Sequence, residues 1–242
     1  MASNSKDNSI KKPKLILKCS RITKQIKSQL TIVRDCNFSL YKGELLVVLA
    51  PAGNGKSTFA KMICGLIAPT SGEITIKGIV AGRKTNPYVS YQPEIPFVKS
   101  ETTISELMNM YSRFFKDFNF KRAFKILKQF RISPKTKFED LSITAIQIVE
   151  TVLVSCRKTS LYVFDDPLIH TDPKYRSALI EIIKSCKKIG AVIIFSQVTH
   201  GLSNAADKAI FLKNDGNYIL ANINVEDNIN LTAMYKEVFR NA

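Results

Sequence analysis

The sequence predicts an α/β fold around a central, largely parallel sheet. Three observations predict it. Candidate strands alternate with candidate helices along most of the chain. One apolar run, Leu46-Val47-Val48-Leu49, passes through a loop of small residues straight into a helical pattern. Another, Leu161-Tyr162-Val163-Phe164, ends in the paired acids Asp165-Asp166. Taken in order, residues 15–49 alternate as strands: Leu15 to Leu17, Gln29 to Val33, Cys36 to Leu40 and Glu44 to Leu49. The turn Tyr41-Lys42-Gly43 leads into the last of these. A helix from Lys56 runs to Ile67 and stops before Pro69, which cannot continue it. Pro69-Thr70-Ser71-Gly72 turns into a strand from Glu73 to Lys77, and residues 87–92 give another. Residues 103–130 read as helical, with Ala123, Phe124, Leu127 and Phe130 on one face and lysines on another. An apolar helix covers 143–156, and a helix with a basic end covers 174–188. Ala191 to Phe195 is a buried strand, and Asp215-Gly216 joins Ala209–Lys213 to Asn217–Ala221 as a hairpin.

The loop Ala50-Pro51-Ala52-Gly53-Asn54-Gly55-Lys56-Ser57-Thr58 has the chemistry of a phosphate cradle. Loop N–H groups turn around an anion, the helix N-terminus adds partial positive charge, and Lys56 reaches the outer phosphates. Ser57 is placed to bind Mg²⁺. The usual pattern is G-x-x-x-x-G-K-[ST], so Ala50 stands where the first glycine belongs. Its methyl group costs backbone freedom if that position needs a positive φ. The strand ending at Asp165 supplies the second half of such a site, since a carboxylate there holds the Mg²⁺ shell. The next residue normally polarises the attacking water and is usually Glu; here it is Asp166, one methylene shorter. A misplacement of about 1 Å is enough to lose catalysis, so hydrolysis is expected to be slow or absent.

Bulk properties narrow the class. With 45% hydrophobic residues in 242, the chain can bury a substantial core. No apolar run approaches the roughly 18 residues needed to cross a bilayer. Residues 1–14 read as a basic, disordered lead without the apolar centre of a secretory signal. Cys19, Cys36, Cys64, Cys156 and Cys186 are scattered, with neither disulfide nor zinc spacing. The net charge of +16 would suit nucleic acid, an anionic membrane surface or an acidic partner, and equally a lysine-rich composition with no partner. It is concentrated in 112–137, where nine Lys or Arg face Asp117 alone.

The order of these motifs resembles the ATP-binding subunit of an ABC transporter over residues 15–222, and the stretch 110–142 is similar to bacterial antibiotic- and peptide-export ATPases. The resemblance implies a P-loop NTPase of ABC type, with a mixed central sheet, an antiparallel β-subdomain and a helical subdomain at about 93–140. Residues 223–242 are then a C-terminal helical extension. It implies ATP and Mg²⁺ as ligands and assigns Gln92 to the metal and the attacking water. Ser142, in Leu141-Ser142-Ile143-Thr144-Ala145, takes the place of the signature that clasps the partner's ATP. Asp172 falls in the loop that communicates across the dimer, and Gln197, ten residues before Asp207, takes the switch position where the family has histidine. His200 is three residues too late for that role, and His170 stands where the family has a glycine. No aromatic precedes Phe38 to stack on adenine, and Ile26 is the nearest apolar substitute.

These departures lead to one expectation. The chain binds MgATP but hydrolyses it weakly, as the degenerate half of an asymmetric dimer. Its partners are then a separate-chain membrane permease and a second ABC ATPase subunit, at the cytoplasmic face of the membrane, whether as homodimer or heterodimer. The alternative is a soluble ABC-type ATP switch acting on nucleic acid or ribosomes, for which Phe114, Phe115, Phe118 and Phe120 among lysines would be the stacking residues. The core reading of those aromatics speaks against it. A scaffold that has lost nucleotide altogether is opposed by the intact Lys56 and Asp165.

Overall fold

The computed structural model describes residues 13–26, 30–223 and 230–240. Most of the expected basic lead thus lies outside the described residues, as do Gln29, 224–229 and 241–242. Two sheets organise the chain. The first is antiparallel, with β1 (Leu15–Ile26), β2 (Leu30–Tyr41), β4 (Ser71–Ile76) and β5 (Ile79–Val80) in the order β2-β1-β4-β5. The second contains β3 (Leu45–Leu49), β6 (Val89–Gln92), β7 (Leu161–Asp165), β8 (Ala191–Ser196), β9 (Lys208–Leu212) and β10 (Tyr218–Asn222). Its order is β10-β9-β3-β8-β7-β6, parallel throughout except for β10, which pairs antiparallel with β9.

Strands β3, β7 and β8 are buried at every residue, as continuous Leu, Val, Ile and Phe runs must be when both sheet faces are covered. The pleat divides their side chains between two cores. Leu45, Val47, Leu49, Tyr162, Phe164, Val192 and Ile194 face the helical side. Leu46, Val48, Leu161, Val163, Ile193 and Phe195 face the antiparallel sheet and α1 (Lys56–Ile63). Each such aliphatic side chain contributes about 2 kcal/mol of burial.

Several boundaries differ from the sequence expectation. The two strands expected on either side of Arg34-Asp35 are one strand, β2. Asp35 absorbs the irregularity at φ 44° and donates its N–H to Thr23 Oγ1 at 3.0 Å. Helix α1 ends at Ile63 rather than Ile67. Gly65, at φ 73°, closes it, and a β-carbon there would sit 2.3 Å from the Gly82 amide. The stretch 103–130 is two helices, α2 (Ile104–Phe114) and α3 (Phe120–Gln129). Thr103 and Glu106 form a capping box on α2, and Asn119 accepts the Arg122 N–H to start α3. Phe124 is 43% exposed, while Ile126 joins Ala123, Leu127 and Phe130 against the core. Helices α4 (Ile143–Ser155) and α5 (Pro173–Ser185) pack beneath the sheet, and α6 (Leu231–Val238) lies in the stretch read as a C-terminal extension. All five cysteines are buried and free. Among the described residues no helix is long and apolar enough to cross a membrane.

Candidate functional site: a phosphate loop facing paired carboxylates

Strand β3 delivers the loop to the C-terminal edge of the parallel sheet, where the Ala50 N–H donates to Ser196 O at 3.2 Å. Gly53 and Gly55 hold φ of 82° and 77°. Gly55 is required for a second reason: a β-carbon there would lie 2.5 Å from Ile32 of β2. Neither Ala50 nor Ala52 has positive φ, so the methyl group at 50 carries no backbone cost. The Asn54 side-chain amide donates to the Asn214 side chain, which ties the loop to the β9–β10 turn. Thr58 follows in the first turn of α1.

Lys56 folds back over its own loop. Its Nζ donates to the carbonyls of Ala50 at 3.2 Å and Pro51 at 3.1 Å, and pairs with Asp166 Oδ2 at 3.3 Å. Both side chains are almost fully buried, 6% and 2% exposed. Asp166 stands at φ 48°, a left-handed conformation that Asp tolerates better than most residues. Its Oδ1 accepts the Gln197 N–H at 3.0 Å. Burial raises the Asp166 pKa above the usual carboxylate range, while the Lys56 charge opposes the shift.

Asp165 ends β7 beside the loop. Its Oδ2 accepts the Tyr91 hydroxyl at 3.2 Å, and its Oδ1 is buried with no hydrogen-bond partner among the described residues. Burial pushes this carboxyl up to about 6; the nearby Ser57 hydroxyl opposes, and the charges of Asp166 and Glu94 add to the rise. Ser57 Oγ donates to Glu94 Oε2 at 2.9 Å. An unsatisfied carboxylate oxygen, a hydroxyl and a second carboxylate are hard oxygen donors, and they fit Mg²⁺. Among the described residues no cluster of three or more His, Cys, Asp or Glu could enclose a metal by itself.

Gln92 is not part of this constellation. It is fully buried; its Nε2 donates to Gln147 Oε1 at 3.0 Å, and its Oε1 accepts from Thr151 at 2.9 Å. The pleat explains this placement. Tyr91 faces the loop side of β6, so Gln92 must face α4. Glu94, beyond Pro93, reaches Ser57 instead. The available signal was the acid two residues past the strand end, just after a proline that frees the chain from the sheet. Replacing Glu94 with Gln should reduce the Mg²⁺ dependence of nucleotide affinity by about tenfold, since one of two carboxylates near the cation is neutralised. Titrating ATP with and without Mg²⁺ measures that ratio, and an unchanged ratio rejects the assignment.

The remaining residues lie elsewhere. Ser142 caps α4 and accepts the Ala145 N–H at 3.2 Å. Asp172 caps α5 and accepts the Lys174 N–H at 3.0 Å. Thr144 joins the two, donating to His170 O at 3.1 Å and accepting the Asp172 N–H at 3.0 Å. None of these bonds runs to the phosphate loop, and Ile143 is 61% exposed between them. Gln197 meets Asp166 through its backbone. His200 is exposed, and Ile26 is half-exposed at the end of β1. Of the four phenylalanines in the basic stretch, Phe115, Phe118 and Phe120 are partly buried and only Phe114 is exposed.

The sequence profile of the ABC transporter family matches residues 33–169, from β2 past both carboxylates. The chain belongs to that family. Among its ABC relatives, the linearmycin resistance ATP-binding protein LnrL of Bacillus subtilis is 31% identical over 175 residues. That match covers 69% of this chain and only 56% of LnrL. The ABC-type transporter ATP-binding protein EcsA of the same organism is 28% identical over 195 residues, covering 76% of this chain and 78% of EcsA. A solved ATP-binding subunit of an ABC transporter superposes with a TM-score of 0.81, at 23% identity, over 93% of this chain and 99% of its own. The mixed sheet with an antiparallel sheet and helical region is thus the ABC ATPase architecture.

Proposed function

We propose that this chain is the MgATP-binding, weakly hydrolysing subunit of an ABC exporter. It sits peripherally on the cytoplasmic face of the membrane, bound to a separate permease and to a second ABC ATPase subunit, as the degenerate half of an asymmetric pair. The observation that carries the weak-hydrolysis reading is the 3.3 Å pair between Lys56 and Asp166. A carboxylate that short, drawn onto the lysine and held by the Gln197 N–H, stands back from where an attacking water must be oriented. Binding is a separate matter. Lys56, Ser57, Thr58 and the Gly53–Gly55 turn supply the cradle, and Asp165 with Glu94 offers oxygens to the cation. Mg²⁺ held there would neutralise charge on the nucleotide's phosphates. Lys56 must exchange Asp166 for phosphate, so part of the binding energy goes into breaking that pair.

Three further features support the reading. The hydroxyls of Ser142 and Thr144 are consumed inside their own chain, and exposed Ile143 stands where a glycine would let a partner's phosphate approach. The export direction rests on the 110–142 stretch and on the resistance role in the name of LnrL. The basic stretch 112–137 suits lipid head groups near a permease.

Asp166→Glu tests the reading directly. With a competent partner subunit, ATP turnover should rise at least several-fold, because the added methylene lets the carboxylate reach past Lys56. The left-handed backbone at 166 suits Glu less well, so a stability loss of about 0.5–1 kcal/mol accompanies the gain. A sharp fall in turnover would mean that Asp166 is already the tuned base.

A further inference from the structure

Away from the nucleotide site, the helical region holds a concave pocket that carries two cations. It lies between α2, α3 and the turn that follows α3, with a volume of about 300 Å³. Buried Ile104, Met108 and Leu127 line it, with the more open Phe124 and Pro134. Its shape is fixed by the backbone. The Ser105 N–H donates to Pro134 O at 2.8 Å and the Ile104 N–H to Thr136 O at 3.0 Å, which fastens the turn to the start of α2. The charged residues of the lining are Lys128 and Arg131, both exposed. Neither makes an ion pair among the described residues, and among them no acid lines the pocket. Arg131 also occupies a costly place. It stands at φ 58° just past the C-cap Phe130, where its N–H donates to Lys128 O and the Ile132 N–H donates to Leu127 O, both at 3.0 Å. Glycine fills that left-handed place without steric cost, whereas arginine keeps a charged side chain at the pocket.

We propose that this pocket binds a free single-chain amphiphile with an anionic head, its tail against Ile104, Met108 and Leu127 and its phosphate or carboxylate at Lys128 and Arg131. Charge complementarity argues for the head: two cations without a counter-ion meet an anion at no cost in broken pairs. Size argues for the tail. The volume stands at the lower end of the range of about 300–1,000 Å³ that small-molecule sites occupy. A helix of another chain, about 10 Å across with its side chains, is too wide for it. The fastened turn and buried lining mean that little has to be ordered on binding. Selectivity follows from the two halves together. A neutral tail leaves the cations without a partner, and an inorganic anion leaves the apolar lining in water.

The probes are octyl phosphate below its micelle concentration, octanol and inorganic phosphate. Calorimetry on the wild type should find octyl phosphate bound at least about tenfold tighter than either of the others. Saturating MgATP should leave that affinity unchanged; octyl phosphate that MgATP displaces sits in the phosphate loop and overturns the proposal. The chain has no tryptophan, so Phe124→Trp places a single fluorophore at the pocket, and its emission should shift to the blue as octyl phosphate binds. Lys128→Gln/Arg131→Gln should lower the affinity for octyl phosphate to that for octanol. Lys121→Gln/Lys125→Gln removes the same charge from exposed positions of α3 outside the pocket and should change the affinity less than about twofold. Arg131→Gly should bind octyl phosphate at least about threefold more weakly and yet melt at a higher temperature, because it relieves the left-handed backbone. Equal binding of octyl phosphate and octanol overturns the proposal. So does an equal loss in the two double variants, which would assign the anion preference to the general +16 field. Binding confined to phosphatidylglycerol vesicles, with no free octyl phosphate bound, would make the region a membrane patch and overturn it as well. The wild-type comparison decides even if a variant folds poorly.

Discussion

Lys56→Ala should abolish MgATP binding and, unusually for a ligand-contacting lysine, also destabilise the nucleotide-free chain. The first effect follows from removing the only cation at the phosphate loop's helix start. The second follows from burial. Asp166 is 2% exposed and, among the described residues, its pair with Lys56 is its one contact with a positive charge, supplemented by the Gln197 N–H. Removing one member of a buried pair typically costs about 3–5 kcal/mol. Asp166 can escape part of that by taking up a proton, which burial already favours, so about 3 kcal/mol is expected at pH 8 and less at pH 5. Urea unfolding of the single variant and of Lys56→Ala/Asp166→Asn checks it: the second substitution should return most of the lost stability without restoring nucleotide binding. A double variant no more stable than the single one would show that the pair is incidental. Undiminished MgATP affinity in Lys56→Ala would overturn the loop assignment.

Asp165→Asn should do the opposite to stability while also damaging the site. The folded pKa of Asp165 is raised from 3.8 to about 6, chiefly by burial. A carboxyl whose folded value lies above its unfolded one burdens the fold wherever it is ionised. That burden is full above about pH 6, shrinks as pH falls toward 3.8, and is gone below it. The shift corresponds to about 3 kcal/mol, so the asparagine variant should be more stable than wild type by roughly that amount at pH 7.5 and equal to it near pH 3.5. The same variant should lose most of the extra affinity that Mg²⁺ confers on ATP, because a neutral amide is a poor ligand for a hard cation. Thermal melts across pH, with and without MgATP, read both halves. A destabilised variant at neutral pH would contradict the buried-charge account.

The frame of the site was legible because its determinants are local in sequence. An apolar run buried on both faces has no alternative to an interior strand, and Lys56-Ser57-Thr58 after Gly55 fixes both the turn and the helix start. What escaped depends on the phase of the pleat or on residues far apart in the chain. Whether Gln92 or Glu94 faces Ser57 turns on which side of β6 Tyr91 occupies, and a run of four strand residues does not declare that. The ion pair of Lys56 with Asp166 joins distant segments and exists because β3 and β7 both flank β8. Ala50 carried an apparent penalty that vanished once its backbone proved ordinary. The stop at Gly65 was hidden behind a proline that looked sufficient, and the break between α2 and α3 behind a composition that suits one long helix.

Tyr91 belongs to two neighbourhoods. Its ring lines an open groove of about 430 Å³ between β6 and α2, and its hydroxyl donates at 3.2 Å to Asp165, the carboxylate that ends β7. A single rigid side chain thus has two addresses. If occupancy at one end shifts the ring enough to change how firmly the other end holds its proton or cation, then loading of the inner end must alter the outer affinity by the same factor.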